Sequence, residues 1–377
     1  DSGHVRVYKW DETSKTWDLR GEDIDGEAAF DNNGYSVSLS SDGSIVAMGA
    51  IYNEGVNGVH SGHVRVYELN DLNKDKLSFV KKNEQLVGDK LKILVKNDVF
   101  VWTLMGEDID GEAVGDRSGH SVAMSSDGSI VAIGAPYNHG VNGEREIGYV
   151  RVYKWNGNDK KWEQRGVDID GEAAWDRSGW SVSLSSDGTI VAIGAVYGNS
   201  NNSGYVRVYK WNGSWEQRGG DIDGEASYDY SGHSVALSSD GTIVAIGAYW
   251  NDGVNGSNSG HVRVYEWNDN DEEWVKRSED IDGEAESDSS GHSVALSSDG
   301  SIVAIGAHWN DGVNGENSGH VRVYKYEKQV NPRYAKNTRR FEYYINDILL
   351  HQHESDIDDI EASCFIKGLE YNTYETI

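Results

Sequence analysis

The chain has 377 residues, with 45 Gly, 2 Pro, 13 Trp and 21 Tyr, and a formal net charge of −29. That charge repels nucleic acid and anionic lipid and excludes both as direct partners, while favouring divalent cations or basic proteins. No apolar run approaches the length that crosses a bilayer as a helix, so no membrane insertion is expected, and the lone Cys364 excludes an internal disulfide framework.

Self-similarity dominates the sequence. Gly-x-Val-Arg-Val-Tyr occurs six times, ending at Tyr8, Tyr67, Tyr153, Tyr209, Tyr265 and Tyr324. Asp-Ile-Asp-Gly-Glu-Ala occurs five times, starting at Asp23, Asp108, Asp168, Asp221 and Asp280. Ser-Ser-Asp-Gly followed by Ile-Val-Ala also occurs five times, starting at Ser40, Ser125, Ser185, Ser238 and Ser297.

In chain order, residues 1–21 read as strands three and four of one unit. The chain opens inside a repeat and without Met, which suggests a mature or truncated piece. Full units begin near Gly34, Gly119, Gly179 and Gly232, and a partial unit begins at Gly291. The unit from Gly232 shows the grammar. Ser234-Val235-Ala236-Leu237 alternates as a first strand, and Ser239-Asp240-Gly241 is a hairpin turn with Gly supplying positive φ. The apolar run 242–248 reads as a strand covered on both faces. A Gly/Asn-rich loop precedes the alternating strand His261-Val262-Arg263-Val264-Tyr265, and Trp274-Val275-Lys276-Arg277 is the outermost strand.

Four antiparallel strands per repeat of roughly 55–60 residues predict an all-β chain, a β-propeller. Six blades are expected over 1–326, and a cut seven-bladed ring is the alternative. Two segments depart from the pattern. Residues 71–100 are a Lys-rich insertion between strands three and four, where the Tyr67-to-Trp102 spacing is 35 residues against 6 to 9 elsewhere. Residues 327–377 are an off-pattern tail that a six-bladed ring needs as closing strands; an artefactual origin of both segments is a third reading.

The pattern Gly-[His/Tyr/Trp]-Ser-Val, followed by Ser-Ser-Asp-Gly and Ile-Val-Ala-Ile-Gly-Ala, resembles the FG-GAP repeat, the blade unit of integrin α-chain propellers. The match is clearest from Gly119-His120-Ser121-Val122 to Gly134-Ala135-Pro136. The resemblance implies an extracellular or cell-surface propeller for adhesion or recognition of a protein or glycan. One departure matters. The calcium loop of integrin-type blades lies between strands one and two, where this chain has only the short Ser-Ser-Asp-Gly turn.

Carboxylates concentrate instead in the loop that leads from one blade to the next. The sets are Asp23, Asp25, Glu27, Asp31; Asp108, Asp110, Glu112, Asp116; Asp168, Asp170, Glu172, Asp176; Asp221, Asp223, Glu225, Asp229; and Asp280, Asp282, Glu284, Asp288. Alternating acids with a Gly between them suit calcium, which makes these the candidate metal ligands. The competing reading pairs them with the Arg of each third strand, at Arg6, Arg65, Arg151, Arg207, Arg263 and Arg322. Blade topology puts the acidic loops on one face with the loops between strands two and three. Trp250 and Trp309 fall in those loops as candidate ligand contacts, beside Asn and Asp, where aromatics stack on sugars.

Catalysis is not expected. The histidines at 120, 233 and 292 share their position with Tyr35 and Trp180, and those at 4, 63, 261 and 320 share theirs with Tyr149 and Tyr205. A group that transfers protons is not exchanged for Trp, and an active site needs an asymmetric set of groups. An intracellular scaffold for basic partners is the second reading of function, and an enzyme working from the central channel is the third. Oligomeric state is not legible.

Overall fold

The computed structural model describes residues 2–71, 100–140, 143–199, 201–312 and 314–326, together with the strand backbones at 331–334, 340–345 and 348–354. The fold is a propeller of antiparallel blades, all-β among the described residues. The first blade uses strands Asn33–Leu39, Ile45–Ala50, His63–Asp71 and Phe100–Leu104, paired in that order. Asp71 pairs with Phe100, so strands three and four meet directly across the expected insertion, whose residues 72–99 lie outside the described ones. The second, third and fourth blades repeat this order from Ser121, Ser178 and Ser234. The fifth has three strands, Ser290–Leu296, Ile302–Ala307 and His320–Lys325.

The blade count corrects the six-blade expectation, and the cut seven-bladed alternative with it, to five. Residues 1–21 supply only strands three and four, as His4–Val5, Tyr8–Asp11 and Thr16–Leu19. The tail was expected to complete that unit. Its described strands, Asn331–Tyr334, Arg340–Ile345 and Ile348–Glu354, pair with one another in chain order, and residues 325–377 form a unit of their own.

Each of the first four blades also gains a fifth short strand, within what the sequence reads as the acidic loop. Ile109–Asp110 pairs with the start of strand three, and Ile169–Asp170, Ile222–Asp223 and Ile281–Asp282 do the same in their blades. The cause is local: Ile109, Ile169 and Ile222 are buried, and the Asp-Ile-Asp stretch alternates as a strand does.

Strand two lies between strands one and three, and in the first four blades its Val-Ala-Ile core (Val-Ala-Met in the first) is buried on both faces. The valines of strand three face the next blade, where they meet strand one of that blade. Val64 and Val66 thus share a cluster with Val122 and Met124, and Val206 and Val208 share one with Val235 and Leu237. Burying one such side chain is worth about 2 kcal/mol. Backbones touch at the same seam. A Cβ on Gly134 would lie 2.1 Å from the Gly179 carbonyl oxygen of the following blade, so only Gly fits there.

Polar contacts repeat with equal regularity. Ser36, Ser121, Ser181 and Ser234 donate their hydroxyls to the carbonyls of Gly119, Gly179, Gly232 and Gly291 in the next blade. The indoles of Trp102, Trp162, Trp215 and Trp274 donate at 2.7–2.9 Å to carbonyls of the preceding unit, as expected for tryptophans packed between blades. The last strand three differs: Val321 and Val323 are each 68% exposed, against 0% and 1% for Val206 and Val208.

Candidate recognition face

The acidic loops and the loops between strands two and three do share a face. Asn53, Asn251 and Asn310 of the latter donate to Asp31, Asp229 and Asp288 of the preceding acidic loop at 2.8–3.1 Å. The backbone N–H groups of Gly115, Trp175, Tyr228 and Ser287 donate to carbonyls of the loop on the other side, so in the first four blades the loop between strands two and three is zipped between two acidic loops.

Within one acidic loop the four carboxylates take four different jobs. The first Asp receives a two-pronged bond from the Arg of its own blade: Arg6 on Asp23, Arg65 on Asp108, Arg151 on Asp168 and Arg207 on Asp221, at 2.6–3.2 Å. The Glu pairs with the Arg of the following blade, as Glu27 with Arg65, Glu112 with Arg151, Glu172 with Arg207 and Glu284 with Arg322. One guanidinium therefore ties two successive loops together. In the fourth blade Arg263 keeps Glu225 at 3.5 Å but donates to the Asp223 carbonyl rather than to Asp280, which pairs with Lys276 at 2.7 Å.

The second Asp (Asp25, Asp110, Asp170, Asp223 or Asp282) sits in the short fifth strand; burial pushes the carboxyls of Asp110, Asp170 and Asp282 above the ordinary range. The last acid, at Asp31, Asp116, Asp176, Asp229 and Asp288, is buried and accepts a backbone N–H three residues earlier, at Ala28, Ala113, Ala173, Ala226 and Ala285. A calcium cage needs six or more oxygens around one centre. In these loops the first Asp and the Glu turn to Arg partners and the last Asp to a backbone N–H. Among the described residues, three metal-type donors meet within 4.8 Å only at Glu27–His63–Asp108 and Glu225–His261–Asp280. Each includes a ring nitrogen, and in the first Arg65 already neutralises both acids.

A second feature of this face was not legible in advance. Tyr35, His120, Trp180, His233 and His292, each at the head of strand one, form a continuous arc with ring centroids 4.6–5.9 Å apart from blade to blade. Burial depresses His120 and His233 to about 4, so the arc is neutral at pH 7. A second row follows strand two, at Tyr52, Tyr137, Tyr197, Tyr249 and His308. Arg117 lies over Tyr52 and Tyr137, Arg177 over Tyr137 and Tyr197, and Tyr230 between Tyr197 and Tyr249. Trp250, 43% exposed, packs on Tyr230 and Tyr249, and Trp309, 56% exposed, packs on His308.

The acidic loop also displays one variable position. It holds Phe30, Gly115, Trp175, Tyr228 and Ser287, all at φ between 68° and 84°. Phe30, Trp175 and Tyr228 are exposed. A bulky residue held left-handed costs of order 1 kcal/mol, and such strain concentrates at binding sites. The signal in the sequence is the variation itself, two changing residues, of which the second is Phe, Gly, Trp, Tyr or Ser, inside a constant Gly-Glu-Ala-x-x-Asp frame.

The FG-GAP repeat family matches residues 222–265 and 281–324. Those two stretches carry FG-GAP repeats, and the other blades repeat their strand order. No curated protein matches. Among solved structures, the FG-GAP propeller is similar to the periplasmic gluconolactonase of Pseudomonas aeruginosa, at 14% identity over 91% of this chain and 85% of that one, TM-score 0.46. It is also similar to a putative 6-phosphogluconolactonase of Bacteroides uniformis, at 10% identity over 87% and 89%, TM-score 0.44. A third is hydrazine synthase of Kuenenia stuttgartiensis, at 13% identity and TM-score 0.41, covering 74% of this chain and 56% of that one. Two of the three are named as lactonases, and the expectation that the chain is not an enzyme is withdrawn on that finding.

Proposed function

We propose that this FG-GAP propeller is a cell-surface recognition module that holds a neutral glycan on the face where its acidic and Asn/Gly loops meet. The observation that carries this reading is the display of different aromatic residues on a constant frame. Phe30, Trp175 and Tyr228 stand exposed at one repeated loop position, and Trp250 and Trp309 at another. Aromatic faces cover the C–H faces of sugars, while neighbouring amides and carboxylates accept and donate to hydroxyls. Asp252 and Asp311 follow the two tryptophans in this way and cap their own loops, accepting from Asn258 and Asn317. The net charge of −29 disfavours anionic sugars. The test is a microarray of neutral, sulfated and sialylated oligosaccharides. Retention of neutral structures, lost in Trp250→Ala and Trp309→Ala, supports the reading; retention of none sinks it.

A further inference from the structure

The head of strand three is one repeated position with two kinds of occupant. Tyr149 and Tyr205 stand opposite Asp170 and Asp223 in the second and third blades, and His63 and His261 stand opposite Asp110 and Asp282 in the first and fourth. Each of these histidines brings a ring nitrogen to the place where two successive acidic loops approach each other. It joins the Glu of the loop before its blade and the first Asp of the loop after it. In Glu27, His63 and Asp108, and again in Glu225, His261 and Asp280, the three donor atoms lie within 4.8 Å of one another.

The two triads differ in what holds the acids. In the first blade Arg65 pairs with both Glu27 and Asp108, and in the second and third blades Arg151 and Arg207 hold the equivalent pairs. In the fourth blade Arg263 donates to the Asp223 carbonyl at 2.7 Å and keeps Glu225 only at 3.5 Å. Asp280 is left to Lys276 at 2.7 Å, and Lys276 is an exposed residue of the outer strand whose flexible stem can withdraw. His261 is 1% exposed, and its Nε2 is buried with no hydrogen-bond partner among the described residues. A buried polar atom without a partner is uncommon and calls for a ligand or a functional reason.

We infer that Glu225, His261 and Asp280 form a binding site for a divalent transition metal of the zinc type, with three protein ligands and a fourth position open to water. One imidazole nitrogen and two carboxylate oxygens are a donor set that Zn²⁺ accepts, at bond lengths of about 2.0–2.2 Å. Such bonds place neighbouring ligand atoms about 3.5 Å apart, so the triad closes on the ion with side-chain shifts of about 1 Å. Glu225 and Asp280, with side chains 45% and 23% exposed, have room to make them. Calcium is not served by the same three groups, because it takes six or more oxygens and no ring nitrogen. The metal ties the acidic loops before and after the fourth blade, which is the task a guanidinium performs in the first three.

The experiment takes the full chain, freed of metal and desalted, and titrates it with Zn²⁺ by calorimetry and with Co²⁺ by visible absorption. The parent is expected to bind one more equivalent than His261→Tyr, with a Kd below about 100 μM. Asp280→Asn is expected to weaken that equivalent roughly tenfold or more. His63→Tyr is expected to keep it, because Arg65 already holds both acids of the first triad. Zinc is expected to raise the melting temperature of the parent and not that of His261→Tyr. Tyr149 and Tyr205 fill the same position in other blades, so both Tyr variants suit the fold, and Asp280→Asn reads the site without changing the buried ring. Equal stoichiometry in the parent and His261→Tyr, equal affinity in the parent and Asp280→Asn, or loss of the equivalent in His63→Tyr overturns the inference. Zinc held only by the tail residues His351 and His353 gives the first of these outcomes.

Discussion

Lowering the pH from 7 to 5 perturbs the seams between blades at identifiable atoms. His120, His233 and His261 each have a pKa depressed to about 4, and burial is the largest cause in all three. His292 beside His233, and Arg263 beside His261, add like-charge repulsion. Burial also lowers His63. In the unfolded chain these rings titrate near 6.5, so between pH 6.5 and 4 the unfolded state binds more protons and stability falls with pH. At pH 5 one ring shifted from 6.5 to 4 costs about 2 kcal/mol, and three such rings cost about 6, a large share of the stability of an ordinary domain. The buried carboxyls of Asp110, Asp116, Asp170, Asp176 and Asp282 are raised and act in the opposite sense, but only in the window above the ordinary Asp value. The assay is the urea midpoint, followed by Trp fluorescence from pH 7.5 to 5. His233→Tyr provides the control, because Tyr35 fills the same position in the first blade. The variant is expected to lose about 2 kcal/mol less than the parent over that range. A midpoint that is flat or rising on acidification, or equal slopes for parent and variant, refutes the reasoning.

Two further outcomes follow from the loop geometry. Arg151→Ala leaves Glu112 and Asp168 without their shared guanidinium and is expected to cost about 3 kcal/mol, read as a lowered urea midpoint; a change below 1 kcal/mol would show that the Arg ties do not hold the seam. Because the loop carboxylates diverge onto Arg, Lys and backbone partners, millimolar calcium is expected to leave the melting temperature unmoved, and a calcium-dependent rise of several degrees would restore the cage reading.

What the sequence disclosed follows from where its physics is local. Alternation in His261-Val262-Arg263-Val264-Tyr265 and the apolar run of strand two each specify a strand without outside help, so the blades were legible. The tie between Arg and the acidic loop was legible as one of two options, because fixed offsets suit either a cation cage or a guanidinium; the guanidinium tie itself is seen only in the positions of Glu27 and Asp108 around Arg65. The number of blades was not legible, because it turns on whether tail strands pair with the ring or with one another, and Arg340–Ile345 has no period that distinguishes the two. The aromatic arc was missed for a related reason. Tyr35, His120 and Trp180 look like interchangeable packing when compared copy by copy, and their contact is made across blades about 60 residues apart, as between His120 and Trp180.

The recognition face is the centre of the account, and it is tested most directly by calorimetric titration of one array-identified neutral oligosaccharide into three proteins: the parent, the triple variant Trp175→Ala, Tyr228→Ala, Trp250→Ala, and Trp17→Ala, which alters an exposed Trp of an outer strand. The account predicts that the triple variant keeps its melting temperature and loses binding at least a hundredfold, about 3 kcal/mol, while Trp17→Ala binds as the parent does. Equal affinity in the triple variant and the parent would contradict it.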